Sequence, residues 1–569
     1  MGKKANLVLS LVLAAAAIGL VIATHLNRDF MRACLSRASY FIIFAMVLIW
    51  VMMVASRLYD HRDRWRDLLR RLGPGILVSV ILSGIIFASV EPHFRVLSDE
   101  TNMLAVSKSM TYEQRVENVT QGKWYYFTFN PIQRELSKRP FLFPFLTHVL
   151  HAALGYQPFH PFVLNFILLI TLFSVAFAVI EKHMRGWAGV AAIFLIAAHP
   201  VISQVATSAG YDLLFVLFML ISGVNLKSFL DKPSGDRFEF LWISLLLLAN
   251  TRAEAFVFSV ISVSLLTIFR HVKLDYLRSS PLYAATLLFM LPNYWTRVLV
   301  SYGHKPDEGQ SAFSLSNFVD HNEDFLKSLI RFDFDLPYAT VIEIVGVVSV
   351  FWLVGSFVLK KWPLERSARS FLWIFAPVFL SHWVVINAHF FPAVTHPSGT
   401  RFFALTAMTL SLLTVVFFWR IRLFREKPGA IVGFALSMFL LYHPVAVENR
   451  LDNAQTLPRL YRVVINYLGS LGQQEILIVA NRPGQYTVHN YGAVDFSHAR
   501  DNAKNLLGEL RRHLFRDIYV IQEIEYKTNA PGKGQHLSEA YVLERVLELQ
   551  NKGTSYLRIS RVKQLPHEE

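Results

Sequence analysis

Cysteine is almost absent: Cys34 is the only one in 569 residues. That excludes an intramolecular disulfide and any metal cluster built on thiolates. Charge is scarce too, at 17% of residues, where a soluble globular chain carries about a quarter. The charges gather in short clusters, with long stretches between them that hold almost none. There is no internal repeat and no low-complexity tract. No P-loop, H-E-x-x-H or G-x-G-x-x-G pattern stands in a context that would give it meaning.

Apolar residues fill the space left by charge. They make up 53% of the chain, and mean hydropathy is +0.37. Water is missing from a bilayer core, so a spanning segment needs about 20 predominantly apolar residues in a helix. Candidate spans lie near residues 5–24, 39–55, 74–90, 160–181, 187–203, 211–230, 238–250, 254–270, 281–300, 340–360, 369–390, 401–420 and 428–445. The expected fold class is therefore a mainly α, polytopic membrane protein of about 13 transmembrane helices. The run Asn6–Thr24 follows Lys3 and Lys4 and reads as an uncleaved first helix. The run 238–250 is short and stops at Asn250, Thr251 and Arg252, as a broken or shallow helix would.

The net charge of +15 does not point to nucleic acid. Lys and Arg sit mostly between apolar runs, as in RLYDHRDRWRDLLRR (57–71), RHVKLDYLR (270–278), KKWPLERSAR (360–369) and RIRLFREK (420–427). Alternating the spans puts all four on one side, which the positive-inside rule makes the cytoplasm. They would meet anionic lipid first. The N-terminus is then cytoplasmic. Loops 91–159, 301–339 and 391–400 and the segment from 446 onward are extracytoplasmic. Segment 25–38 also falls outside despite Arg28, Arg32 and Arg37, and the other loops outvote it.

Three regions follow: two additional N-terminal helices and a basic loop (1–73), a membrane core with a large first external loop (74–445), and a soluble domain (446–569). In the loop, Arg139–Tyr156 is apolar but broken by Pro140 and Pro144, which suits an interfacial or re-entrant helix. Beyond 446, ILIVA (476–480), DIYVIQEI (517–524) and YLRISRV (556–562) read as strands. Helical patterns lie near 459–471, 499–513 and 538–550. The alternation predicts a small extracytoplasmic α/β domain.

Asp99 and Glu100 follow the third span at an expected membrane surface. From position alone two readings stay open. Carboxylates are favoured in the first turn of a helix, and a carboxylate is also the usual general base in sugar chemistry.

Four stretches together carry a resemblance: SDETNMLAVSKSM (98–110), RPFLFPFLTHVLHAALGY (139–156), HPVISQVATSAGYDLLFVLFML (199–220) and GTRFFALTAMTLSLL (399–413). In their order and spacing, from about 74 to 445, the chain resembles the GT-C glycosyltransferases of the protein O-mannosyltransferase-like group. That group includes the lipid A aminoarabinose transferases. The resemblance implies a membrane glycosyltransferase that moves a sugar from a polyprenyl-phosphate donor to a lipid, glycan or protein acceptor at the extracytoplasmic face. It makes Asp99 the candidate base and Glu100 its companion. Asp212 would lie at the outer mouth of its helix, and Arg401 near the lipid phosphate. The chain departs from the group in having Asn102 and Met103 where a Tyr often follows the acidic pair.

An external donor phosphate calls for basic groups, and arginine's forked donors suit it. Candidates are Lys138, Arg139, Arg252 and Arg401, with Arg134 read as a solvated side chain. Arg252 and Arg401 sit at apolar helix ends, where charge is expensive. Glu254 could simply pair with Arg252. The histidines His148 and His151, and His382, His389 and His396, show no spacing that indicates a metal, and Pro392 and Pro397 break any helix through the last set. No cofactor is indicated. Analogy with the group places the chain in the cell envelope, in a bacterial inner membrane. The competing reading is a transporter or flippase for a lipid-linked or small polar substrate. Such proteins usually show repeated halves with broken helices at matching depths, and no matching halves occur here.

Overall fold

A computed structural model describes residues 3–184, 187–273, 275–276, 280–300, 311–330, 338–359, 365–390, 396, 398–448, 456–472, 475–550 and 553–563. The chain divides into two compact units. The first comprises Met1–Pro92, Lys138–Phe145 and Phe162–Leu451, and the second His93–Ser137, Leu146–Pro161 and Asp452–Glu569.

The first unit is helical. Its long helices are α1 (Lys3–Leu26), α2 (Ser39–Asp60) and α3 (Trp65–Ser89). The chain then runs through α4 (Leu97–Glu113), which belongs to the second unit, and α5 (Leu142–Leu154), which straddles the two, to α6 (His160–Met184). Next come α7 (Ala188–Ala198), α8 (Pro200–Ala206), α9 (Asp212–Asp231), α10 (Gly235–Ala249) and α11 (Ala255–Ile268). The rest are α12 (Leu282–Phe289), α13 (Leu291–Leu299), α14 (Leu315–Leu329), α15 (Thr340–Val358), α16 (Arg366–Ala388), α17 (Ala404–Arg420) and α18 (Pro428–Glu448).

Among the described residues, eight helices are long and apolar enough to cross a membrane, or nine if the bent pair α7–α8 is one span. The expected count of about 13 is not reached, for a reason of length. Residues 238–250 and 254–270 form the 15-residue α10 and 14-residue α11. The stretch 281–300 breaks at Met290 into α12 and α13. Between α7 and α8 the axis turns by 77°. Pro200 stands at the first position of α8, where its missing N–H costs nothing but bars α7 from continuing.

The second unit holds a seven-stranded sheet of order β2-β1-β4-β3-β5-β7-β6. The strands are β1 (Glu117–Tyr125), β2 (Thr128–Leu136), β3 (Ile476–Ala480), β4 (Gly492–Val494), β5 (Asp517–Glu525), β6 (Leu543–Gln550) and β7 (Ser555–Val562). β4, β3 and β5 run parallel in the centre, and antiparallel pairs flank them. β3 is buried throughout, and its alternate residues feed two cores. Ile476, Ile478 and Ala480 meet Tyr461, Val464 and Leu468 of helix α19 (Thr456–Gly469). Leu477 and Val479 meet Phe496, Leu506 and Leu510 on the other face.

The three expected strands appear where the sequence places them, but 538–550 is not helical. Its Leu543, Leu547 and Leu549 pair as β6 with β7, and the register shifts between Arg545 and Leu547. That bulge sends Leu543 to one core and Leu547 and Leu549 to the other, so a period of two is hidden. The loop 91–159 also contributes to this sheet, through Gly122 opposite Ala493. Its aromatic run forms the hairpin end: Trp124 donates to Asn490 O at 2.8 Å, and Phe127 is 88% exposed.

Two substitutions probe this architecture. A Cβ at Gly346 of α15 would lie 2.6 Å from Leu410 Cβ and 3.1 Å from its Cα on α17. Gly346→Ala is expected to cost about 1–3 kcal/mol in thermal unfolding, and Leu410→Ala will not rescue it because the crowded atoms remain. In the second unit, half-buried Lys108 donates to Thr487 O at 2.7 Å and lies 5.0 and 5.1 Å from the ring centres of Phe129 and Tyr156. Burial pushes its ammonium down to about 7, against about 10.4 in an unfolded chain. The folded state therefore binds this proton less tightly. The penalty is full below pH 7 and vanishes above about 10, so this group makes stability rise with pH across that window. Lys108→Met should flatten the rise in melting temperature, relative to wild type, between pH 7 and about pH 9.

Candidate active site

The sequence-derived candidates fall into two sets, one in each unit. Asp212, Arg252 and Arg401 come together in the first. Asn165 of α6 donates to Ser208 O at 2.7 Å and Gly210 O at 3.0 Å, pinning the turn before α9. Asp212 then opens α9, where the helix dipole favours a carboxylate. The Asn250 amide, which caps α10, reaches back to Leu246 O at 2.9 Å, and the Thr251 hydroxyl reaches Leu248 O at 2.6 Å. This closes α10 and turns Arg252 inward, 3% exposed. The guanidinium donates to Asp212 through a terminal nitrogen and to Glu254 Oε1 through Nε at 2.5 Å. Its carbon stands 4.3 Å from the centre of the Phe402 ring.

Arg401 belongs to a 3-10 turn, Thr400–Phe403, that leads into α17. Its Nε donates to Ser398 O at 3.1 Å, and a terminal nitrogen is 3.7 Å from Asp212. Asp212 thus faces both arginines, and Phe402 lies under both, with Arg401 at 5.3 Å. Arg252 has two carboxylate partners, whereas Arg401 shares one of them at longer range. Lys138 and Arg139 belong to the same unit and are half-buried. His382 is fully buried between Phe215 and Phe258, with ring centres 5.4 and 5.3 Å away.

The second set lies on α4. Asp99 and Glu100 occupy its first turn, 6% and 2% exposed. Glu100 caps the helix. Its two oxygens accept the backbone N–H groups of Arg95 at 2.9 Å and Val96 at 3.2 Å. A carboxylate reaching back over the helix start in this way satisfies donors that no earlier turn can. His148 and His151 bond to Thr111 at 3.0 Å and Ser107 at 3.2 Å, and His151 meets His160 at 2.8 Å. Among the described residues, no group of three or more His, Cys, Asp or Glu side chains is arranged to hold a metal.

One polar pair was not singled out from the sequence. His199, at the α7–α8 break, and Glu343, in the first turn of α15, are 0% and 1% exposed and 3.7 Å apart. Neither side chain has a hydrogen-bond partner among the described residues. A signal existed, since Glu343 is the lone acid in the apolar run 340–359.

Removing Arg252 would strand Asp212 and Glu254 without their shared counter-charge. Breaking a buried ion pair by deleting one partner costs about 3–5 kcal/mol. Arg252→Met should therefore lower the melting temperature sharply, and Arg401→Met much less. Equal losses would refute the ranking of the two arginines.

No protein-family model matches the chain, and no curated protein matches it in sequence. Solved structures do. The crystal structure of ArnT from Cupriavidus metallidurans bound to undecaprenyl phosphate aligns with a TM-score of 0.53 at 11% identity, covering 86% of this chain and 98% of that one. Its apo form gives a TM-score of 0.45 at 12% identity. The chain has the fold of ArnT.

Proposed function

We propose that this chain is a membrane glycosyltransferase that takes a sugar from a polyprenyl-phosphate donor and passes it to a hydroxyl acceptor at the extracytoplasmic face. The observation that carries the reading is the ArnT-like fold, which spans nearly the whole length of a protein crystallised with undecaprenyl phosphate. The buried Asp99 carboxylate, standing beside a Glu100 that caps the same helix, supports it.

In the proposed reaction the acceptor oxygen attacks the anomeric carbon. The bond from that carbon to the phosphate oxygen breaks, and polyprenyl phosphate leaves with the electron pair. Asp99 takes the acceptor proton as positive charge develops at the anomeric centre. Arg401 meets the donor phosphate with its forked donors, aided by Lys138 and Arg139. Arg252 holds Asp212 and Glu254 in place and keeps the mouth of α9 set. The acceptor is a lipid, a glycan or a protein.

The test follows sugar release from a polyprenyl-phosphate sugar pool by mass spectrometry, with purified protein in nanodiscs and candidate acceptors present. Asp99→Asn should lower turnover by about 10²–10⁴-fold with the melting temperature kept. Glu100→Gln should act chiefly on melting temperature. Turnover of folded Asp99→Asn close to wild type would sink the base assignment. No release by wild type across a broad pool would favour the transporter reading.

A further inference from the structure

Helix α14 divides its circumference into three arcs. Ser314 caps it, accepting from Asn317 N at 3.0 Å. At 3.6 residues per turn, Phe318, His321, Asn322, Phe325, Ser328 and Leu329 fall on one side. That side packs. Phe325 lies 4.5 Å from the Trp383 ring and 4.6 Å from the Phe403 ring. Trp383 Nε1 donates to Asn322 at 2.9 Å, and His321 Nδ1 bonds to Asn387 O at 2.9 Å. A second arc carries Asp320, Glu323, Asp324 and Lys327. The third holds Leu315, Val319 and Leu326, with Ile330 just beyond the helix end, all within about 60° of one another. These four are 78%, 55%, 61% and 71% exposed.

The depth of this apolar stripe is fixed by what α14 is moored to. Its partners Trp383, Asn387 and Ala388 form the last turns of α16, a candidate membrane span. Ser314 N donates to Ala388 O at 3.0 Å. α14 therefore lies at the level where that span ends. α16 itself exposes apolar side chains in its last turns, Leu380 and Val384 among them. One arc facing protein, one water and one apolar is the composition of a helix lying in a membrane surface.

We propose that α14 lies in the membrane–water interface, with Leu315, Val319, Leu326 and Ile330 inserted among the acyl chains of one leaflet. The attraction is apolar. Three carboxylates and one lysine, with Lys327 2.6 Å from Glu323, give the polar arc no affinity for anionic headgroups. The assignment does not rest on the glycosyltransferase reading.

The test uses single cysteines at 315, 319, 326 and 330, and at 320 and 324, in a Cys34→Ser background. Each is spin-labelled in nanodiscs of phosphatidylcholine, alone or mixed with phosphatidylglycerol. Collision with oxygen should exceed collision with a water-soluble nickel chelate at the four apolar positions. The order should reverse at 320 and 324, and neither result should change with phosphatidylglycerol. Nickel access at all six positions would overturn the proposal. So would exclusion of both reagents from the stripe, which would mean that protein covers it, or oxygen access only with the anionic lipid. A photoactivatable acyl-chain probe tests the wild-type chain in parallel: labelling of the 315–330 peptide is expected, and its absence beside labelled spans would count against insertion.

Discussion

A guanidinium buried among apolar helices must be matched by charge or it does not stay buried. Arg252 is matched by Asp212 and Glu254 and backed by the Phe402 ring. That one requirement brings together the start of α9, the α10–α11 turn and the approach to α17. Each of these pieces lies at a helix terminus, and each terminus has its own local lock: the Asn165 amide, the Asn250 and Thr251 caps, and the Arg401 tie to Ser398. The locks are inexpensive hydrogen bonds, but they aim the charges, and misaimed charges in a low-dielectric interior would be far more costly.

The sequence was informative wherever a residue type violates its surroundings. Arginines at apolar helix ends, an aspartate opening a helix and an asparagine–threonine stop were all legible, and all lie in or beside the ion cluster. The local pairing of Arg252 with Glu254 was legible as well, but the meeting of Asp212 with Arg252 and Arg401 was not, because it joins distant chain segments that no local pattern encodes. Glu100 shows the opposite limit. Its cap is local, yet a catalytic pair and a capping pair look alike in sequence. β6 was misread because the bulge between Arg545 and Leu547 leaves leucines at a spacing that mimics a helix face, and pairing with β7 overrides that preference. Among the described residues fewer helices reach spanning length than the expected 13 or so, because apolar runs of 13 to 20 residues do not reveal where a helix breaks within them.

The two units solve the same problem with different means. In the helical unit backbone groups are satisfied within each helix, so side-chain polarity is concentrated at the helix ends. In the sheet unit a strand pairs with distant strands, and its polar side chains form ties such as Gln121 to Asp495 and Lys123 to Glu509, at 2.8 and 2.7 Å. Asp99 sits on a helix held by the second kind of order, and Asp212 on one held by the first.

The hairpin of β1 and β2 has a consequence for biogenesis. Its inner edge pairs with β4, so Gly122 finds Ala493, and Gln121 finds Asp495 across a separation of 374 positions. Every span between them is synthesised in the interval. Through that time the hairpin offers an open edge, the arrangement most prone to wrong pairing, and closing so long a loop is a late event in folding. The nascent chain thus passes through a stage in which its membrane helices are complete but its sheet lacks a centre. A chain cut short before residue 476 would carry an unfinished, adhesive strand edge.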